Sequence, residues 1–180
     1  YLGIVGPVRT GKSTFIKRFM ELVVIPEMTD DNEKVRTIDE LPQSADGKTI
    51  MTTEPKFIPK EAAVIHFSNQ ETGKIRLIDC VGYLVPEAVG AIEEEKERMV
   101  KTPWSEEEIP FSKAAEIGTS KVIREHSNLG LIITTDGSFG DIPAVNFEEA
   151  LQKTVMECEK AGKPFLILVN TSRPDSQETI

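Results

Sequence analysis

The sequence predicts an α/β fold: a mainly parallel sheet with helices on both faces and one antiparallel hairpin edge. Three observations carry that expectation. Short apolar runs alternate with stretches at helical spacing along most of the 180 residues. The first run passes through a glycine-bounded turn straight into a helical stretch. Two later runs, Ala62 to Phe67 and Ile75 to Ile78, are separated by the turn-rich segment Asn69-Gln70-Glu71-Thr72-Gly73, which suits a hairpin.

Taken in order, Leu2 to Val5 is a short apolar strand. Ser13 to Leu22 is the first helix, because Phe15, Ile16, Phe19 and Met20 recur on one face. Residues 26 to 51 are polar and hold Pro26, Pro42 and Gly47, so an irregular excursion is expected, with one helical turn near Glu33 to Ile38. The hairpin strands follow. Glu87 to Lys101 is predicted as a helix, since Glu94/Arg98 and Glu97/Lys101 are spaced to pair one turn apart. Pro110 to Glu125 is the next helix, opened by its proline, and leads to the strand Leu129 to Ile133. Asn146 is placed to cap a helix from Phe147 to Lys160, which Gly162 and Pro164 end before the strand Phe165 to Val169. No apolar helix follows to cover that strand, so residues 1–180 are expected to form one domain taken from a longer protein.

Composition narrows the function. With 21 Lys and Arg against 30 Asp and Glu, the formal charge is −9, so a nucleic-acid partner is not expected. No run of about 18 apolar residues exists to make a transmembrane segment. The cysteines, Cys80 and Cys158, are far apart and form no CxxC pair, which suits a reducing compartment, with the cytosol as the default. His66 and His126 have no second ligand nearby in sequence and read as structural. Trp104 reads either as a core plug or as an interface anchor.

The chemistry concentrates in Gly6-Pro7-Val8-Arg9-Thr10-Gly11-Lys12-Ser13, which matches the pattern GxxxxGK followed by Ser or Thr, after a strand and before a helix. This is the phosphate loop of the P-loop NTPases. Its backbone N–H groups, from Gly6 through Val8, Arg9, Thr10 and Gly11 to Thr14, are expected to wrap phosphate oxygens, with the helix dipole helping. Lys12 neutralises β- and γ-oxygens, and the Ser13 hydroxyl is a Mg²⁺ ligand. Arg9 could reach a phosphate of this subunit or a neighbouring one, or be an ordinary exposed loop residue.

The strand Ile75 to Ile78 runs into Asp79-Cys80-Val81-Gly82, a DxxG sequence. Its aspartate can hold the Mg²⁺ water shell and the Gly82 N–H can sense a γ-phosphate. Thr52 and Thr53 lie between the first helix and the hairpin, where a switch threonine would bind the ion and report the γ-phosphate. They equally suit a polar turn with no chemistry. Lys12, Asp79 and one of these threonines are the candidate catalytic groups; Ser13, Thr52, Thr53 and Asp79 are the candidate metal set.

Three departures separate the chain from guanine-nucleotide switches. The fifth strand of such proteins ends in NKxD, whose Asp accepts two guanine hydrogen bonds; here it ends in Asn170-Thr171-Ser172-Arg173. A site built on those bonds loses several powers of ten in discrimination without them, so ATP is the expected nucleotide, with Asn170, Thr171 and Ser172 beside the nucleoside. Tyr83 stands where many small GTPases place the water-orienting glutamine, and Val8 where they need glycine, so slow turnover is expected unless a partner completes the site.

Together the phosphate loop, Thr52-Thr53, Asp79-Cys80-Val81-Gly82-Tyr83, Met99-Val100-Lys101-Thr102-Pro103-Trp104, Ala114-Ala115-Glu116-Ile117-Gly118-Thr119 and Asn170-Thr171-Ser172-Arg173-Pro174 closely resemble the stage IV sporulation protein A family of spore-forming Firmicutes, over the whole chain. The family looks like a branch of the translation-factor-related P-loop GTPases that turned to ATP. The resemblance implies Mg²⁺-dependent ATP hydrolysis coupled to self-assembly of the spore coat's basement layer around the forespore, in the mother-cell cytosol. It further implies that contacts with other coat morphogenetic proteins and a small membrane-bound amphipathic peptide lie in regions beyond this chain. The alternatives are a GTP-dependent switch and a structural coat protein in which nucleotide only stabilises the fold. A small-molecule phosphotransferase would need an arginine-rich lid, and the seven arginines form no cluster.

Overall fold

The computed structural model describes residues 1–42, 54–66, 71–88, 92–93 and 96–176. The strands are β1 (Leu2–Val5), β2 (Lys56–His66), β3 (Thr72–Asp79), β4 (Ile92–Glu93), β5 (Lys96–Glu97), β6 (Met99–Thr102), β7 (Ser105–Pro110), β8 (Leu129–Thr135) and β9 (Phe165–Asn170). The α-helices are α1 (Lys12–Phe19), α2 (Asp31–Glu40), α3 (Phe111–Lys121) and α4 (Glu148–Lys160). Five strands form one sheet in the order β2-β3-β1-β8-β9. Its pairs are parallel except β2 with β3, the expected antiparallel edge.

Strand alternation sorts the core onto two faces. Ile4, Leu77, Leu131 and Ile133 pack on one face under Ile16 and Met20 of α1 and its continuation, Val24 and Met28. Their neighbours Val5, Ile78 and Ile132 pack on the other with Val122, Ile123 and Cys158 from the α3 and α4 layer. Parallel strands covered on both sides read as continuous apolar runs, which is why these were recognisable in the sequence. Strand β9 differs: Leu166 and Leu168 on one face, Ile167 and Val169 on the other, remain 39–59% exposed.

Two expectations need correction. The segment predicted as a helix from Glu87 to Lys101 holds β4, β5 and β6 instead. β4 pairs with β5, and β6 pairs with β7 as a hairpin turning at Pro103 and Trp104. The paired charges at four-residue spacing are worth only a few tenths of a kcal/mol each, and no apolar stripe backs them. Across the hairpin Val100 pairs with Ile109, and the Phe111 N–H donates to the Arg98 carbonyl at 2.8 Å, fastening the start of α3 to it. Asn146 does not cap α4. It lies in a 3₁₀ turn (Ala144–Phe147), and its Nδ2 donates to the Pro86 carbonyl at 3.5 Å, while Phe147 occupies the cap position with no side-chain bond. The 3₁₀ turn already directs the first amide groups of the helix, so no side-chain acceptor is needed there.

The described part of the excursion after α1, up to residue 42, is more regular than expected. The Asp30 carboxylate accepts from the N–H groups of Asn32 and Glu33 at 2.8 and 3.2 Å, starting the ten-residue helix α2. Both α1 and α3 lengthen through one wide π-type turn, Met20–Val24 and Val122–His126.

Candidate functional site

The phosphate loop connects the end of β1 to the first turn of α1, as its spacing requires. Gly6 has φ +125°, and a Cβ there would lie 2.4 Å from the Ile133 carbonyl oxygen, so only glycine lets the loop leave the sheet this closely. Arg9 stands exposed at the crest with φ +67°. Thr10 is buried and its hydroxyl donates to the Pro7 carbonyl at 3.0 Å, bracing the loop from inside. The Phe15 N–H reaches the Gly11 carbonyl at 2.8 Å, closing the first helical turn, with Thr14 exposed upon it.

Lys12 is 5% exposed, and its ammonium donates to the Pro7 carbonyl at 2.5 Å. Burial lowers its pKa from the usual lysine range, partly offset by the nearby Cys80 and Asp79. A buried cation turned back on its own loop is the state expected of a group whose proper partner is an anion arriving from solution.

Ser13 and Asp79, 66 positions apart, meet through a hydrogen bond of 2.8 Å from the Ser13 hydroxyl to Asp79 Oδ2. The parallel register of β1 against β3, with Ile4 opposite Asp79, brings them together. Asp79 Oδ1 is shielded from solvent and has no hydrogen-bond partner. Burial raises the Asp79 pKa above the usual carboxylate range, and the Ser13 bond and Lys12 charge pull the other way. A hydroxyl and a carboxylate side by side, with one carboxylate oxygen orphaned, is the donor set Mg²⁺ takes when phosphate and water complete its shell. The residues present therefore fit the ion.

Gly82 closes the site from the other side. Its φ is +91°, and a Cβ would stand 2.0 Å from the Gly6 carbonyl oxygen and 2.8 Å from Lys12 Nζ. The Val8 N–H donates to the Tyr83 carbonyl at 2.9 Å, stapling the DxxG turn directly to the phosphate loop. The Tyr83 ring packs with Val8, Val85, Phe147 and Ala150, and the Lys153 ammonium lies 4.9 Å from its centre. Tyr83 thus serves as an apolar plug beside the loop. Cys80, at the base of the site, is buried, with its thiol pKa pushed up to about 11.

At the opposite side of the loop, Asn170 Nδ2 donates to the Thr10 carbonyl at 3.1 Å. Thr171 donates through its hydroxyl to Asp136 Oδ2 at 2.6 Å, and the Ser172 N–H donates to Ser138 Oγ at 2.7 Å. Asp136 and Ser138 were missed in the sequence. The signal was Thr135-Asp136-Gly137-Ser138, in which Thr135 and Asp136 side chains accept from N–H groups two residues on, at 3.0 and 2.9 Å. Thr52 and Thr53 lie outside the described residues. The remaining expected site residues thus fall into a phosphate group, Gly6 to Thr14 with Asp79 and Gly82, and a second group, Asn170 to Ser172, joined by the Asn170 bond.

A central parallel sheet whose first strand runs through this loop into a helix, with Ser13 against Asp79, defines a P-loop nucleotide-binding domain. The sequence profile described as "Stage IV sporulation protein A, ATPase domain" matches residues 1–180. Stage IV sporulation protein A of Bacillus subtilis (strain 168) is 56% identical over 179 residues, 99% of this chain. Those of Bacillus anthracis and Clostridioides difficile (strain 630) are 55% and 50% identical over the same length. The chain belongs to the stage IV sporulation protein A ATPase-domain family. It spans 36% of the length of each of these relatives.

Proposed function

We propose that this chain is one Mg²⁺-dependent ATP-binding and hydrolysing domain whose slow turnover drives self-assembly of the spore coat's basement layer at the forespore surface, in the mother-cell cytosol. The observation that carries the reading is the meeting of Ser13 with Asp79, its second oxygen orphaned, beside a buried Lys12. Lys12 pairs with phosphate oxygens, and the amides from Gly6 to Thr14 line the cradle. Ser13 and Asp79 hold the ion. Mg²⁺, when bound, neutralises charge developing on the phosphate oxygens. Gly82 is assigned to sense the γ-phosphate through its backbone N–H, and either Thr52 or Thr53 reports whether that phosphate is present. Asn170, Thr171 and Ser172 flank the nucleoside.

ATP is preferred because Thr171 and Arg173 stand where a guanine site needs lysine and aspartate. Competition titration with Mg²⁺ tests the choice: ATP should displace a fluorescent triphosphate analogue at lower concentration than GTP, and the reverse order would establish the guanine switch. A Lys12→Ala protein should lose triphosphate affinity by about a hundredfold, as one fully desolvated charge partner is removed. If longer versions carrying that substitution assembled normally without hydrolysis, nucleotide would be serving structure alone. Contacts with other coat proteins and the membrane-bound peptide are assigned to the longer protein. Among the described residues no helix is long and apolar enough to cross a membrane.

A further inference from the structure

The sheet order dictates which end of a bound nucleotide lies where. Asp79 and Gly82 stand at the end of β3, on one side of the loop that follows β1; β8 and β9 lie on the other side. A phosphate chain whose metal-bound end meets Asp79 therefore directs its nucleoside toward the carboxyl ends of β8 and β9. There the loop after β8 and the loop after β9 are fastened together. Thr171 Oγ1 donates to Asp136 Oδ2 at 2.6 Å and lies 3.3 Å from Ser138 Oγ. The Ser172 N–H and hydroxyl bond to Ser138 Oγ and Ser138 O at 2.7 and 3.2 Å. The Thr171 hydroxyl also accepts from the Arg173 N–H at 3.0 Å, so the turn from 171 to 173 is shaped by the same atom that Asp136 holds.

We infer that Asp136 is the positioning residue of the nucleoside seat: through Thr171 it fixes the ledge, formed by residues 170 to 173, on which the base and ribose rest. The inference rests on the nucleotide-binding reading above and deepens it. The Thr171 bond to Asp136 is short and charge-assisted, the strongest kind available to a hydroxyl. Asp136 is held in turn by the Ser138 N–H at 2.9 Å, so the carboxylate is oriented before any ligand arrives. Asn170, at the start of the ledge, is anchored independently by its own bond to the Thr10 carbonyl of the phosphate loop. In this arrangement a threonine clamped by a neighbouring loop replaces the lysine that guanine-nucleotide sites place after the asparagine. Recognition at this end rests on hydroxyls and backbone shape, with no carboxylate chelating the base.

The test separates the two ends of the ligand. Calorimetry on Asp136→Ala, Asp136→Asn and Thr171→Val proteins would compare Mg²⁺-ATP with Mg²⁺-tripolyphosphate, which has the phosphate chain and no nucleoside. Asp136→Ala should weaken ATP about tenfold, the worth of one charge-assisted bond, and leave tripolyphosphate unchanged. Asp136→Asn, which keeps one acceptor oxygen, should fall between. Thr171→Val should match Asp136→Ala, and the double variant should be no worse than either, because both break one linkage. Unchanged ATP affinity, equal losses for both ligands, or additive single effects would each overturn the assignment. If Asp136→Ala fails to fold, Thr171→Val alone gives the same comparison. A wild-type protein that bound neither ligand would overturn the nucleotide reading itself, and this inference with it.

Discussion

At the scale of single residues, the site sets stability against binding. Asp79 is held above the normal carboxylate range chiefly by burial, so its charge costs free energy while no cation is near. Asp79→Asn removes that charge with almost no change in volume and keeps an acceptor for Ser13. The unliganded variant should therefore melt higher than the wild type, while Mg²⁺-assisted ATP affinity falls by at least about tenfold. Differential scanning calorimetry and titration on the same preparations check both halves; a lower melting temperature in the unliganded state would contradict the burial argument. Gly82 behaves oppositely. Alanine there meets the Gly6 carbonyl at 2.0 Å in a left-handed backbone. Gly82→Ala should cost about 2 kcal/mol or more, lowering the melting temperature by roughly 4–8 °C in a chain of this size. DxxG singled out these two positions, and the structure brings both against the phosphate loop. The staple from Val8 to the Tyr83 carbonyl was not legible in the sequence, since a backbone bond leaves no mark on residue identity.

At the scale of elements, agreement with the sequence follows how much of each segment is buried. The strands β1, β8 and the end of β3 are closed on both faces, so an apolar run was sufficient evidence for each. Among the described side chains between 87 and 101 none is buried, and charge spacing alone suggested a helix there. Cross-strand pairs such as Val100 with Ile109 depend on a partner strand that no local pattern announces. Helix α2 shows a signal that was present and underused: Asp30 followed three residues later by Glu33 is a capping sequence. Asp30→Ala should destabilise the protein by about 1 kcal/mol, and Asp30→Ser much less, as urea midpoints at constant slope would record. Nucleotide affinity should not move with this substitution, because α2 packs against β2, the edge strand of the sheet.

At the scale of the whole molecule, the site sits where the two halves of the sheet meet, so ligand binding must be felt by the fold as a unit. The loop is fed by β1, braced through Gly82 to β3, and tied through Asn170 to β9, which spans four of the five strands of the sheet with β8 between. In the unliganded protein this junction holds a buried ammonium and a buried carboxylate whose pKa values are displaced toward their neutral forms. On the proposed function, a polyphosphate and its cation would remove both penalties together, and only the folded chain assembles the cradle. Linkage then sets the size of the effect: a ligand at a hundred times its dissociation constant adds about 2.7 kcal/mol, or roughly 5–10 °C in melting temperature at this chain length. Thermal unfolding with ATP and Mg²⁺ should show that rise. ATP with excess EDTA should give a much smaller one, and the Lys12→Ala protein almost none. An equal rise with and without the cation would mean that Ser13 and Asp79 do not hold it, and the orphaned oxygen of Asp79 would then need another explanation.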